Sequence, residues 1–195
     1  MIKVIIFDWG GVIFFYRKGF VKKIASEYKI NFSLFRRAEL ENRLQHDVGG
    51  LTTKKFVHNI NRQCDSHISV NDYYALHSQF VHLSKGMIKV IEQLKKRYKI
   101  FLLSNNSEPA HHYIQKNKEI KKLFDKILFS YQVGLRKPDP RFFQHILKDE
   151  AVLFSECLFI DDRADSVAVA KKLGMHGLLY TNLKNFKHDL IKIRL

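Results

Sequence analysis

At 195 residues the chain is long enough for one α/β core with a small insertion and too short for two full domains. No apolar stretch reaches the about 20 residues of a membrane span, the apolar start Ile2 to Phe7 lacks a signal-peptide layout, and Cys64 and Cys157 have neither a disulfide framework nor zinc-ligand spacing, so a cytoplasmic protein with ordinary thiols is expected. The formal charge of +15 is spread along the chain, on segments with helical apolar spacing and without a stripe of interleaved aromatics, which argues against nucleic acid as the principal partner and leaves a basic field that attracts small anions.

The first element is the run Val4-Ile5-Ile6-Phe7, β-branched and aromatic, which gives way abruptly to Asp8-Trp9-Gly10-Gly11. That pattern predicts a central parallel strand ending in a sharp turn, with a carboxylate at its mouth. Residues from about Tyr16 to Leu83 then show helical spacing around Phe20-Ile24-Tyr28, Leu34 through Leu44, Thr53 through Ile60 and Tyr73 through Val81, with no strand-like run. Gly49-Gly50-Leu51-Thr52-Thr53 reads as a turn followed by a threonine helix cap. Beyond it strands and helices alternate: a helix carrying Met87, Val90, Ile91 and Leu94, the strand Lys99–Leu103, a helix after Pro109, the strand Lys126–Phe129, a helix from Pro140, and the strand ending at Ile160. A helix Val167–Leu173 closed by Gly174, a strand His176–Tyr180 and a helix Leu183–Ile193 complete the chain. The expected fold is α/β, a Rossmann-like parallel sheet with helices on both faces, formed by residues 1–15 and 84–195, with a small helical insertion over 16–83.

Four of the predicted strands end in groups suited to phosphoryl transfer, at the carboxyl edge where open α/β sheets place their chemistry. They offer Asp8, then Ser104-Asn105, then Lys137 within Gly-Leu-Arg-Lys-Pro-Asp-Pro, then Asp161-Asp162 within Phe-Ile-Asp-Asp-Arg. In that order and context the chain resembles the haloacid dehalogenase-like hydrolases, whose four motifs are a nucleophilic Asp, a Ser or Thr, a Lys and an acidic pair. The resemblance extends over essentially the whole chain. It implies that the helical segment 16–83 is a cap over the sheet's carboxyl edge, and the Gly49–Thr53 turn resembles a step common in such caps.

Under that resemblance Asp8 is the nucleophile of a phosphatase, forming an aspartyl-phosphate that divides one hard displacement into two easier ones. Two anions approach only with compensation. A hard cation, Mg2+, held by Asp8, Asp161, Asp162 and the main-chain carbonyl of Gly10 is expected to supply it. Ser104 and Lys137 are expected to bind the phosphoryl group, and Asn105 either binds substrate or stabilises the turn. The plain readings of these residues are an acid at a strand end, a turn serine, a solvated lysine and a helix-start acidic pair. The implied substrate is a small phosphorylated metabolite, including sugar phosphates as a candidate class.

The departure from the family pattern is Gly10. The commonest phosphatase motif is Asp-x-Asp, whose second Asp is the acid and base, a contribution of about 10²–10⁴-fold. A branch of sugar-phosphate phosphatases carries Asp-x-Gly instead. His46 and Asp47, beside the glycine turn, are candidate substitutes, against the plain reading of exposed loop residues. Two other functions stand as alternatives: a metal-independent 2-haloacid dehalogenase, which the acidic pair argues against, and a non-catalytic phosphate-binding protein, which Gly10 keeps in play.

Overall fold

In the computed structural model, which describes residues 1–16 and 19–193, the strand ends predicted from sequence meet along one edge of a five-stranded sheet. The elements run in chain order β1 (Val4–Phe7), β2 (Phe14–Tyr16), α1 (Phe20–Glu27), α2 (Phe32–Asp47), α3 (Thr53–Cys64), α4 (Val70–Gln79), β3 (Val81–Leu83) and α5 (Lys85–Leu94). They continue with β4 (Lys99–Ser104), α6 (Glu108–Lys116), α7 (Lys118–Lys121), β5 (Lys126–Phe129), α8 (Ser130–Val133), α9 (Pro140–Leu147), β6 (Cys157–Asp161), α10 (Ala164–Lys172), β7 (His176–Leu179) and α11 (Leu183–Lys192). The sheet order is β5-β4-β1-β6-β7, with every neighbouring pair parallel.

Alternation along these strands explains the two layers of helices. Ile5, Phe7, Ile100, Leu102, Leu158 and Ile160 face one way, onto Met87 and Ile91 of α5, Ile114 of α6 and Phe186 of α11. Val4, Ile6, Phe101, Leu103 and Phe159 face the other way, onto Phe142, Phe143 and Ile146 of α9 and Ala170 of α10. Because side chains alternate with a period of two, strands covered on both faces must be apolar throughout, as β1 is.

Helix boundaries follow capping chemistry. Thr52 caps α3 by accepting from Lys55 N at 3.3 Å, and Asp139 caps α9 ahead of Pro140 by accepting from Arg141 N at 2.9 Å. Between β2 and β3 the described residues form four helices with an apolar cluster of their own, including Ile24, Phe35, Phe56, Ile60 and Leu76. Residues 17 and 18 of the predicted insertion, and 194 and 195 of the predicted core, lie outside the described residues.

Two expectations need correction. Val81 belongs to a strand rather than to the preceding helix, which ends at Gln79, and β3 pairs antiparallel with β2, Phe14 opposite Leu83. A three-residue strand carries too few positions for alternation to show, and its partner lies far away in sequence. His46 and Asp47 are not exposed loop residues: both lie in the last turn of α2, His46 buried and Asp47 half-buried. Cys64 and Cys157 are both buried and free, as expected. Among the described residues no helix is long and apolar enough to cross a membrane.

Phe143 lies fully buried between α9 and the sheet, edge-on to Phe159 at 5.0 Å between ring centroids. Phe143→Ala is expected to lower unfolding free energy by about 3–5 kcal/mol through lost burial and a residual cavity. Urea denaturation checks this, and a loss below about 1 kcal/mol would mean that the site collapses around the missing ring.

Candidate active site

The register of the sheet brings the first and last motifs together. Phe7 on β1 pairs with Ile160 on β6, so the next residue on each strand, Asp8 and Asp161, emerges level at the carboxyl edge. Asp8 N extends this ladder by donating to Ile160 O at 2.9 Å. On the other side Phe7 pairs with Leu102 of β4, which delivers Ser104 to the same edge, buried. The fourth group comes from a loop, since Lys137 follows α8 and the turn at Gly134.

Lys137 Nζ lies 2.7 Å from Asp8 Oδ1 and 2.7 Å from Asp161 Oδ2, and its side chain is only 2% exposed. A buried ammonium held between two buried carboxylates offsets the charge of both and uses two of its three donors. The ring of Phe159 lies 5.4 Å from the same nitrogen. The main chain of Lys137 is fixed by Asn105, whose amide oxygen accepts from Lys137 N at 2.7 Å and whose amide nitrogen donates to Lys137 O at 2.8 Å. Of the two roles expected for Asn105, this geometry displays the structural one, a reciprocal brace between the end of β4 and the lysine loop. The second oxygen of Asp161 accepts from Arg163 N at 2.8 Å.

Asp162, exposed, completes the cluster. Oxygens of Asp8, Asp161 and Asp162 lie within 4.8 Å of one another. Three hard oxygen donors at one point, with one lysine to offset them, suit a divalent cation such as Mg2+ by charge and ligand type. The electrostatics record the crowding. Burial pushes the Asp8 carboxyl above its ordinary range, opposed by Lys137 and reinforced by Asp161. Although Asp162 is exposed as a residue, partial desolvation of its carboxyl beside the cluster, then the charges of Asp8 and Asp161, push it up to about 6.

The two glycines after Asp8 differ. Gly11 has φ +77°, and a Cβ built there would lie 2.1 Å from Asp162 Oδ2. Its missing side chain is what lets Asp162 reach the cluster. Gly10 lies outside the left-handed region, and among the described residues nothing lies within 4 Å of a Cβ built on it. Neither backbone nor packing demands a glycine at position 10.

Sequence reasoning brought Asp8, Ser104, Lys137, Asp161 and Asp162 to one edge, where the structure has them. It missed Gly11 as the residue that makes room for Asp162, and it missed Glu108. Thr53 donates to Glu108 Oε2 at 2.7 Å and is itself 3.0 Å from His46 Nε2, a chain that links α2 and α3 to the start of α6. His46 also stacks on Phe56 at 4.2 Å, and burial lowers its pKa to about 4. A first-turn glutamate reads from sequence as a helix-dipole partner, and nothing local announces a partner 55 residues away.

A family model for haloacid dehalogenase-like hydrolases matches residues 2–174, and the chain belongs to that family of hydrolases. The chain is 26% identical over 205 residues to a D-ribitol-5-phosphate phosphatase of Bacteroides thetaiotaomicron, covering 99% of this chain and 98% of that one. Its fold resembles a family enzyme of the same organism, solved as a magnesium complex, with TM-score 0.83, 23% identity and coverage of 97% and 98%. A further structure of that enzyme, with magnesium and inorganic phosphate, aligns with TM-score 0.80 at 22% identity over 93% of this chain and 95% of that one.

The contrast between the glycines is testable by thermal denaturation. Gly11→Ala should cost about 1–3 kcal/mol through a strained φ and the collision with Asp162. Gly10→Ala should melt within about 0.5 kcal/mol of wild type or gain slightly. Equal melting temperatures for both variants would contradict the asymmetry.

Proposed function

We propose that the protein is a Mg2+-dependent phosphatase that hydrolyses a small phosphomonoester, sugar phosphates being the favoured class, through an aspartyl-phosphate on Asp8. The observation that carries this reading is the convergence of Asp8, Asp161 and Asp162 within 4.8 Å, with Lys137 2.7 Å from two of them. The similarity to a D-ribitol-5-phosphate phosphatase over nearly the full length supports the substrate class. The acidic cluster favours this over a metal-independent dehalogenase. Residues 1–15 and 84–195 serve as the catalytic core and 16–83 as its cap. Two buried, unpaired thiols agree with a cytoplasmic setting.

Each residue has a chemical task. Asp8 attacks phosphorus with a carboxylate oxygen, in line with the departing ester oxygen. Lys137, already beside the nucleophile, offsets negative charge on the phosphoryl oxygens, and the Ser104 hydroxyl donates to one of them. Asn105 acts by keeping Lys137 in place. Asp8, Asp161, Asp162 and the Gly10 carbonyl would hold Mg2+, which supplies charge neutralisation between two approaching anions. Water then displaces Asp8 from phosphorus and regenerates the carboxylate.

Asp8→Asn, nearly isosteric, should abolish hydrolysis of 4-nitrophenyl phosphate while the melting curve stays cooperative. Excess chelator should do the same to the wild type, reversibly. Lys137→Ala should lower kcat by about 10²–10³-fold at saturating Mg2+, whereas Asp162→Asn should raise the Mg2+ concentration needed for half-maximal rate. Activity retained in chelator would remove the metal from the account, and activity retained in Asp8→Asn would remove the nucleophile.

A further inference from the structure

β5 is the edge strand beside β4, and its register sets one hydroxyl against the loop that follows Ser104. Phe129 pairs with Ser104, so Ser130 stands one residue further along that edge, fully buried. Its Oγ accepts from Asn106 N at 2.9 Å and lies 3.2 Å from Asn106 O. It also donates to Asp47 O, a main-chain carbonyl at the end of α2, at 2.5 Å. A hydroxyl has one proton, so the two carbonyls compete for it. The shorter bond goes to the helical insertion.

A second tie follows two residues along. Thr53, the first residue of α3, donates to Glu108 Oε2 at 2.7 Å, and Glu108 opens α6. The turn between α2 and α3 sits hard against the main chain beside Ser130, since a Cβ on Gly49 would lie 2.1 Å from Tyr131 O. The loop after Ser104 is thus held at Asn106 and again at Glu108, and both holds reach back to the insertion. Elsewhere it faces the insertion across a cavity of ≈ 760 Å³, lined among others by Asn105, Asn106 and Ser107 and by Phe20, Arg43 and His46.

A serine has a single methylene between main chain and hydroxyl, so the Ser104 hydroxyl goes where this loop goes. We propose that Ser130 is a positioning residue, which passes the seating of the helical insertion on to Asn106 and so sets the Ser104 hydroxyl against the phosphoryl group. This rests on the phosphatase reading above, in which Ser104 donates to a phosphoryl oxygen. With the insertion unseated, the Ser130 proton turns to Asn106 O and draws the loop onto one oxygen. Asn105 lies in the same loop, but the lysine it braces is held independently by Asp8 and Asp161, so the loss falls on Ser104. Such donors act only where they are placed, and a shift of about 1 Å costs up to about 10²-fold in rate.

The test is a double-mutant cycle between Ser130→Ala and Ser104→Ala, read with 4-nitrophenyl phosphate at saturating Mg2+. Ser130→Ala should lower kcat by about 10–10²-fold in the wild-type background. In Ser104→Ala it should cost less than about 2-fold, because no hydroxyl remains to be misplaced. Thr53→Val, in the insertion, should show the same pattern at smaller size, and it carries the test should Ser130→Ala fail to fold. A merely structural loss multiplies instead. Equal factors in the two backgrounds, or full activity in Ser130→Ala, would overturn the proposal. Calorimetric titration with inorganic phosphate and Mg2+ repeats the cycle without turnover, and affinity should fall on Ser130→Ala only while Ser104 is present. A wild type that hydrolyses no ester would overturn the phosphatase reading, and the titration then decides the role of Ser130 alone. A wild type that binds no phosphate either would overturn both.

Discussion

One ammonium group organises the carboxyl edge of this sheet. Lys137 spans Asp8 and Asp161 at 2.7 Å each, in a place where neither carboxylate could remain charged alone. The strands explain why it must. Parallel pairing of β1 with β6 forces their terminal acids level, and the apolar runs that build the core on both faces bury them. Asn105, just past the end of β4, clamps the lysine main chain at the point from which its side chain reaches them. The packing that makes the sheet stable is thus the source of the charge problem, and the loops solve it.

The solution is incomplete, and that incompleteness has chemical value. Asp162 is drawn into the cluster through the space left at Gly11, so three acids share one lysine. Raised carboxyl pKa values mean that the folded chain holds protons more tightly than the unfolded chain. This contribution to stability is greatest below the ordinary carboxylate range and is lost as pH rises through about 6. A bound divalent cation would offset that loss at neutral pH, coupling metal affinity to fold stability. The helical insertion is tied to this edge by separate devices, Ser130 with Asp47 and Thr53 with Glu108, both of which run between distant parts of the sequence.

The centre of the sheet was legible because β1, β4 and β6 are buried on both faces and end abruptly in polar groups, so Val4–Phe7 followed by Asp8 carries both element and site in five residues. The residues that act through neighbours were less so. Asn105 gives equal signals for a turn and for a ligand, and only the main chain of Lys137, 32 residues away, distinguishes them. His46 was read as a loop residue because helix propensity is weak near a Gly-Gly turn, whereas stacking on Phe56 and the Thr53 hydroxyl keep it within α2. The β2–β3 ribbon escaped notice because three residues cannot display a period.

The central claim is that Asp8 forms a covalent bond to phosphorus. Borohydride quenching during turnover, followed by peptide mass spectrometry, tests it directly, since an acyl phosphate at Asp8 is reduced to homoserine. The account predicts homoserine at position 8 in the presence of substrate and Mg2+, and none without either. Turnover that proceeds with Asp8 unmodified, or with reduction at another carboxylate, would contradict it.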